Sequence, residues 1–199
     1  MRREGETASG GLLVVDASRV PGHQQLAAAR ADADAIAALH PGARVLRDEA
    51  ATVDAVRAAL TEHSSIHFSC HASHYPDAPS RSGLLLHDGY LAIGEIDRID
   101  LPSAATAFLA ACRTAQGTPT VADEAINPAT SMLLAGFRNV IGTLWPVSDE
   151  TASAVSLAFY GDSAESHDPA LALHRAVRRA QDAEPLRPDL WSGFVHAGP

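Results

Sequence analysis

The sequence predicts a single α/β domain built on a mostly parallel sheet with helices on both faces. Short aliphatic runs of strand length alternate along the chain with longer amphipathic segments of helical length. The chain has 199 residues, of which 46% are hydrophobic and 20% charged, enough for one domain with a buried core. We expect residues 1–10 to form a flexible leader and residues 11–199 to form the domain.

Strands are predicted where branched or aliphatic residues run together and end at polar or turn-forming residues. A pair of runs around the turn at 87–89 predicts a small hairpin. The predicted strands are 12–16, 44–47, 65–70, 84–86, 90–92, 107–111 and 139–144.

Helices are predicted where apolar residues recur on one face between capping and stopping signals. Thr52 is a predicted N-cap, while Pro41-Gly42 and Gly136 are predicted helix stops. The predicted helices are 24–39, 53–60, 129–135, 149–160 and 169–183, followed by a short closing segment at 191–196. Because strands and helices alternate, right-handed crossovers between parallel strands follow.

Composition excludes several classes of function. The 15 basic residues are all arginine and face 24 acidic ones, for a net charge of −9, which argues against nucleic acid as the main partner. No apolar run approaches the ~18 residues that cross a bilayer, so no membrane partner is expected. The charged N-terminus precedes no signal-peptide core, and two cysteines fit a reducing compartment. The sequence therefore predicts a cytoplasmic protein.

A thiol and an imidazole follow the ends of two predicted strands. His71 comes directly after strand 65–70, and Cys112 directly after strand 107–111. If these parallel strands are neighbours, they lie ~4.8 Å apart and both side chains emerge at one sheet edge. Each residue alone has a plainer explanation, as a packed cysteine or a surface histidine. Together they favour a cysteine nucleophile, because the imidazole stabilises or generates the reactive thiolate.

A metal site is the competing interpretation of this region. His67, Cys70, His71 and His74 lie within eight residues. Alternation along a strand places His67 and His71 on one face and Cys70 on the other, and no second ligand pair follows. We therefore expect no metal, and we expect Cys70 to pack as a small apolar group beside Phe68.

Several segments in order along the chain resemble the CHAT domains, which are caspase-like domains often attached to tetratricopeptide repeats. The segment 66–72 is similar to their histidine motif, 109–115 to their cysteine motif and 135–149 to their strand followed by Trp-Pro-Val-x-Asp. The resemblance implies a caspase–hemoglobinase fold, a clan shared with separases and gingipains, and a catalytic dyad of His71 and Cys112. It implies the backbone N–H groups of Ala72 and Cys112 as oxyanion donors, where members typically carry glycine at the position of Ala72. No cofactor is implied.

The resemblance also implies the class of reaction. We expect a cysteine endopeptidase that cleaves a partner protein under the control of an attached or separate sensor, such as a tetratricopeptide-repeat module. An inactive interaction module that keeps the fold is the alternative. Asp149 follows strand 139–144 at the same edge as the dyad, so it is expected either to bind a basic P1 side chain or to cap the helix that begins beside it. Asp123 and Glu124 are the alternative acids.

Overall fold

The computed structural model describes residues 10–73, 82–96, 98–110, 127–166 and 168–199. Within these ranges, nine strands form two sheets. The strands are β1 (Leu12–Asp16), β2 (Arg44–Arg47), β3 (Ser65–Ser69), β4 (Ala72–Ser73), β5 (Gly83–Leu86), β6 (Gly89–Ala92), β7 (Thr106–Ala110), β8 (Asn139–Thr143) and β9 (Phe194–Ala197).

The central sheet has the order β2-β1-β3-β7-β8-β9. All its neighbouring pairs are parallel except β8 and β9, which are antiparallel. The second sheet, β4-β5-β6, is antiparallel and contains the predicted hairpin as β5 and β6. The predicted mostly parallel architecture is therefore confirmed.

Helices cover both faces of the central sheet, also as predicted. They are α1 (Ala27–Leu39), α2 (Val53–Leu60), α3 (Ile93–Ile96), α4 (Pro128–Ala135), α5 (Asp149–Ser166), α6 (Pro169–Ala183) and α7 (Pro188–Trp191). No helix among the described residues is long and apolar enough to cross a membrane.

Strand alternation divides the core into two clusters. Along β1, Leu13 and Val15 pack with residues of α2, α4 and the small sheet, whereas Leu12 and Val14 pack with residues of α1, α5 and α6. All five residues of β1 are buried, which is why the strand reads as a continuous apolar run rather than an alternating one.

Local signals in the sequence explain most helix boundaries. The Thr52 hydroxyl accepts a hydrogen bond from the Ala55 N–H at 3.2 Å and caps α2, as predicted. Gly136 ends α4 with φ of 122°, and a Cβ at that position would overlap the carbonyl oxygen of Leu101.

Three predicted segments differ from the structure by more than one residue. The first helix begins at Ala27 rather than at residue 24; its N-cap residue Leu26 has an extended backbone, and the Leu26 N–H bonds the Ser18 carbonyl. The helix predicted to end at residue 160 continues through Gly161 to Ser166. The closing segment is divided into α7 and the antiparallel strand β9.

Candidate active site

The carboxyl edge of the sheet brings the predicted histidine motif beside the strand that leads to the predicted nucleophile. β3 and β7 are direct neighbours, and Ser69 at the end of β3 lies opposite Ala110 at the end of β7. In the sequence, His71 follows Ser69 by two residues and Cys112 follows Ala110 by two residues. Cys112 itself lies outside the described residues.

The His71 side chain is oriented by a backbone carbonyl. Its Nε2 lies 2.6 Å from the carbonyl oxygen of Gln24, in the segment that joins β1 to α1. A carbonyl oxygen only accepts hydrogen bonds, so Nε2 carries the hydrogen. The neutral imidazole then has its basic lone pair on Nδ1. The His23 ring lies beside it, with 6.1 Å between ring centroids.

The N–H group of Ala72, in β4, points away from the neighbouring strand β5. Ala72 pairs with Leu84, and the Leu85 N–H donates to the His71 carbonyl at 2.8 Å. This pattern makes Ala72 and Leu84 a pair without mutual hydrogen bonds, so the Ala72 N–H points away from β5. Among the described non-glycine residues only Asp48 has a positive φ, so alanine occupies position 72 without the strain that would require glycine.

Asp149 lies at the same edge but does not cap its own helix. The Ser148 hydroxyl accepts from the Thr151 N–H at 3.2 Å at the start of α5. The Asp149 carboxylate instead accepts from the Ala28 N–H of α1 at 2.6 Å. The expectation that Asp149 caps the helix beside it is therefore wrong, because the adjacent serine supplies that cap. The alternative acids Asp123 and Glu124 lie outside the described residues.

The family profile of the CHAT domain matches residues 2–199. The chain belongs to the CHAT domain family. Comparison with curated protein sequences finds no match for this CHAT domain.

Solved structures show the same fold in caspase-like cysteine peptidases. The CHAT domain superposes on the pro- and mature-domain complex of Porphyromonas gingivalis RgpB with a TM-score of 0.63 at 11% identity, covering 93% of this chain and 46% of that one. The match to the structure described as the Arg-specific cysteine proteinase gingipain R has a TM-score of 0.64 at 10% identity, covering 93% and 45%. Separase in the Saccharomyces cerevisiae separase–securin complex matches with a TM-score of 0.63 at 15% identity, covering 95% and 12%. The CHAT domain thus spans less than half of each of these chains.

The histidine motif of the CHAT domain does not gather its side chains at one point. His67 is fully buried, with Nε2 at 2.8 Å from the Ser69 hydroxyl and 3.2 Å from an Asp32 carboxylate oxygen. Cys70 is also buried but packs in the opposite core cluster, beside Phe68. His67 and Cys70 therefore cannot ligate one ion together, and His74 lies outside the described residues. The predicted packing of Cys70 is confirmed.

A cavity of about 400 Å³ opens beside His23 at this edge of the CHAT domain. Its walls come from the segment after β1, the turn at Asp48–Ala50 and the turn between β5 and β6. Charged and polar side chains line it, including Arg19, Glu49 and His87. The cavity is open to solvent, and its lining residue His23 lies beside His71.

Sequence reasoning missed two partners of the CHAT-domain histidines. The Gln24 carbonyl is a backbone group, so no residue type signals it. Asp32 lies on α1 and receives a hydrogen bond from the Ser156 hydroxyl at 2.6 Å, across 124 residues of sequence. A buried aspartate in the Ala-rich helix 27–39 was the available signal, since a carboxylate on the apolar face of a helix needs a partner.

Proposed function

We propose that this CHAT domain is a cysteine endopeptidase in which Cys112 is the nucleophile and His71 the general acid and base. Nδ1 of the neutral His71 imidazole takes the proton of the Cys112 thiol, and the resulting thiolate attacks the carbonyl carbon of the scissile peptide, forming a C–S bond. The C–N bond breaks as the His71 imidazolium gives its Nδ1 proton to the leaving amine. Water then attacks the thioester while Nδ1 takes its proton. The C–S bond breaks to release the acid product, and the proton passes from Nδ1 to the sulfur, which restores the thiol and the neutral imidazole.

The observation that carries this proposal is the hydrogen bond from His71 Nε2 to the Gln24 carbonyl. It assigns the hydrogen to Nε2 and the lone pair to Nδ1. With Nε2 bonded to the carbonyl, Nδ1 is the nitrogen that can accept a proton as a base. His71 also follows the end of β3 by two residues. β3 pairs with β7, and Cys112 follows the end of β7 by two residues in the sequence.

The Ala72 and Cys112 N–H groups are the proposed donors to the tetrahedral oxyanion. Support comes from the Ala72 pairing, which directs its N–H away from β5. Such donors stabilise charge that develops only in the transition state.

For substrate, we propose a partner protein cleaved after a basic residue, with Asp149 as the acid that pairs with the P1 side chain. One solved neighbour is described as an Arg-specific proteinase, and Asp149 lies at the edge of the sheet where the dyad is proposed. A carboxylate pairs with arginine in bidentate geometry, so arginine is preferred over lysine. We place this activity in the reducing cytoplasm, where the thiol stays reduced, under a sensor such as a tetratricopeptide-repeat module.

The test is a peptide-library digest followed by mass spectrometry of the new termini. The wild type should cleave, while Cys112→Ala and His71→Ala should each lose several orders of magnitude in rate yet keep their melting temperatures. Cys70→Ala is the matched control and should cleave normally. Full turnover by Cys112→Ala would refute the nucleophile assignment.

An inactive interaction module is the second candidate, favoured by Ala72 at the position where relatives typically carry glycine. Its prediction is that the wild type and Cys112→Ala are indistinguishable in the same digest. The extended backbone at Ala72 weighs against this candidate, because alanine fits there without strain.

A further inference from the structure

Helix α1 begins without a capping side chain of its own. Its N-cap residue is Leu26, whose side chain makes no cap hydrogen bond, and leucine is among the poorest residues at this position. The missing acceptor comes from the start of another helix: Asp149 accepts from the Ala28 N–H at 2.6 Å, across 121 residues of sequence. A carboxylate at a helix N-terminus also interacts favourably with the helix dipole.

The segment that Asp149 holds is the one that orients His71. Ala28 lies only four positions after Gln24, whose carbonyl oxygen lies 2.6 Å from His71 Nε2. Between them, the Leu26 N–H bonds the Ser18 carbonyl at 3.0 Å, so this short stretch is fixed at both ends and in the middle.

Partial burial makes the ionised form of the Asp149 carboxyl less stable than it would be in water. Burial raises the pKa of this carboxyl, against the lowering effect of hydrogen bonds from the Ala28 and Ala29 N–H groups. Since Ser148 caps α5, that helix does not need Asp149 as its cap. A carboxylate kept at a partly buried position is a common feature of functional sites.

We propose that Asp149 is a positioning residue for His71. Its carboxylate fixes the first turn of α1, and through it the Gln24 carbonyl that sets the direction and tautomer of the imidazole. This role rests on the proposed function, since it matters for turnover only if His71 is the base. It is separate from pairing with a P1 side chain, because it acts on every substrate alike.

Steady-state kinetics on matched peptides with Arg or Leu at P1 test the proposal. Asp149→Ala should lower kcat for both peptides by the same factor, ~10- to 100-fold as expected for a misplaced catalytic group, with KM for the Leu peptide unchanged. Asp149→Asn still offers an oxygen to the Ala28 N–H and should restore kcat on the Leu peptide. A rise in KM for the Arg peptide alone, with the Leu peptide unaffected in both variants, would overturn the positioning role.

A second readout does not depend on turnover. Nitrogen-15 NMR of the His71 ring should report hydrogen on Nε2 in the wild type and in Asp149→Asn, and a mixture of tautomers in Asp149→Ala. An unchanged Nε2–H signature in Asp149→Ala would contradict the proposal. If the wild type cleaves no peptide, the proposed function fails while this signature still decides the positioning role.

Asp168→Ala is the matched control. Asp168 caps α6 by accepting from the Ala170 and Leu171 N–H groups at 3.0 and 3.1 Å, on the exposed surface. Its loss should lower the melting temperature but leave kcat and the His71 signature unchanged. Equal loss of kcat in Asp168→Ala and Asp149→Ala would show that helix capping in general, rather than the α1 contact, governs the rate, and would overturn the proposal.

Discussion

The His71 ring is oriented by the main-chain oxygen of Gln24. A substitution of Gln24 would therefore keep this contact, because every residue carries a main-chain oxygen. Gln24 is exposed, and only its carbonyl contacts the imidazole. This contact is therefore tested by variants that displace the Gln24 backbone, such as substitutions of Asp149. The orienting partner of His71 is thus a backbone group, unlike the side-chain acids that orient the histidine in Ser-His-Asp hydrolases.

Substitution of Cys70, the cysteine outside the proposed dyad, is predicted to affect stability but not activity. Cys70 is 1% exposed and packs with Ile66 and Phe68, so Cys70→Ala should cost roughly 1–2 kcal/mol of unfolding free energy, as for a modest loss of buried volume. The kcat/KM for peptide cleavage should stay at the wild-type value. Urea unfolding and kinetics on the same samples measure both quantities. Lost activity at normal stability would place the Cys70 thiol in the active site.

At the scale of elements, α1 and α5 are joined at two points, about one turn apart on α1 and about two turns apart on α5. Asp149 contacts Ala28 near the carboxyl edge, and Ser156 donates to Asp32 deeper in the core. Asp32 in turn lies 3.2 Å from His67 on β3, so one carboxylate joins both helices to the strand that carries the histidine motif.

This buried contact predicts a large loss of stability. Asp32 is 1% exposed, and its removal takes one buried hydrogen-bond partner from His67 and one from Ser156, which keep their contacts with the Ser69 hydroxyl and the Ser153 carbonyl. Asp32→Ala should therefore lower the unfolding free energy by ~1–3 kcal/mol, as when a buried hydrogen-bond partner is removed. Urea denaturation followed by circular dichroism measures the change.

Asp34 on the same helix is the control for Asp32. It pairs with Arg47 at the surface and has a 59% exposed side chain, so Asp34→Ala should cost only ~0–1 kcal/mol. Similar losses in Asp32→Ala and Asp34→Ala would show that the helix, rather than the buried contact, determines the effect.

For the whole molecule, the dependence of stability on pH includes a contribution from the histidine at the end of α1. Burial lowers the pKa of His40 below its ordinary value, and its ring packs edge-on against Tyr160 at 5.5 Å. The unfolded chain therefore takes up a proton at His40 as the pH falls through ~6.5, while the folded chain resists it. The contribution of His40 is present above this pH and is lost as the pH falls.

Comparison of the wild type with His40→Gln isolates this contribution. The free-energy difference between the two proteins should change in favour of His40→Gln as the pH falls from 7.5 to 5, measured by urea unfolding at each pH. A constant difference across that range would mean that burial does not affect the protonation of His40.

Patterns of neighbouring residues made much of the fold predictable. The four aliphatic residues Leu12–Val15 and the Thr52 cap mark β1 and α2 because strand burial and helix capping are local effects. Pairing of β3 with β7 was the condition for placing the histidine and cysteine motifs at one edge, and the structure shows this pairing.

The rest depends on contacts that sequence spacing does not encode. The Gln24 carbonyl, the Asp149–Ala28 contact and the Asp32–Ser156 contact each involve partners far apart in sequence, and the first two use backbone atoms that every residue carries. Tertiary packing alone brings these groups together. For the same reason, a cap of its own helix was one of the two roles expected of Asp149, whose carboxylate instead contacts α1.

The proposed dyad is tested most directly by labelling with a peptidyl acyloxymethyl ketone, in which a reactive thiolate displaces the carboxylate and forms a thioether. Peptide mapping of the wild type and of His71→Ala, each shown to be folded, measures which thiol reacts and how fast. We expect one adduct, on Cys112, formed orders of magnitude more slowly in His71→Ala. Equal labelling of Cys112 in both proteins, or equal labelling of Cys70 and Cys112, would contradict a His71–Cys112 dyad.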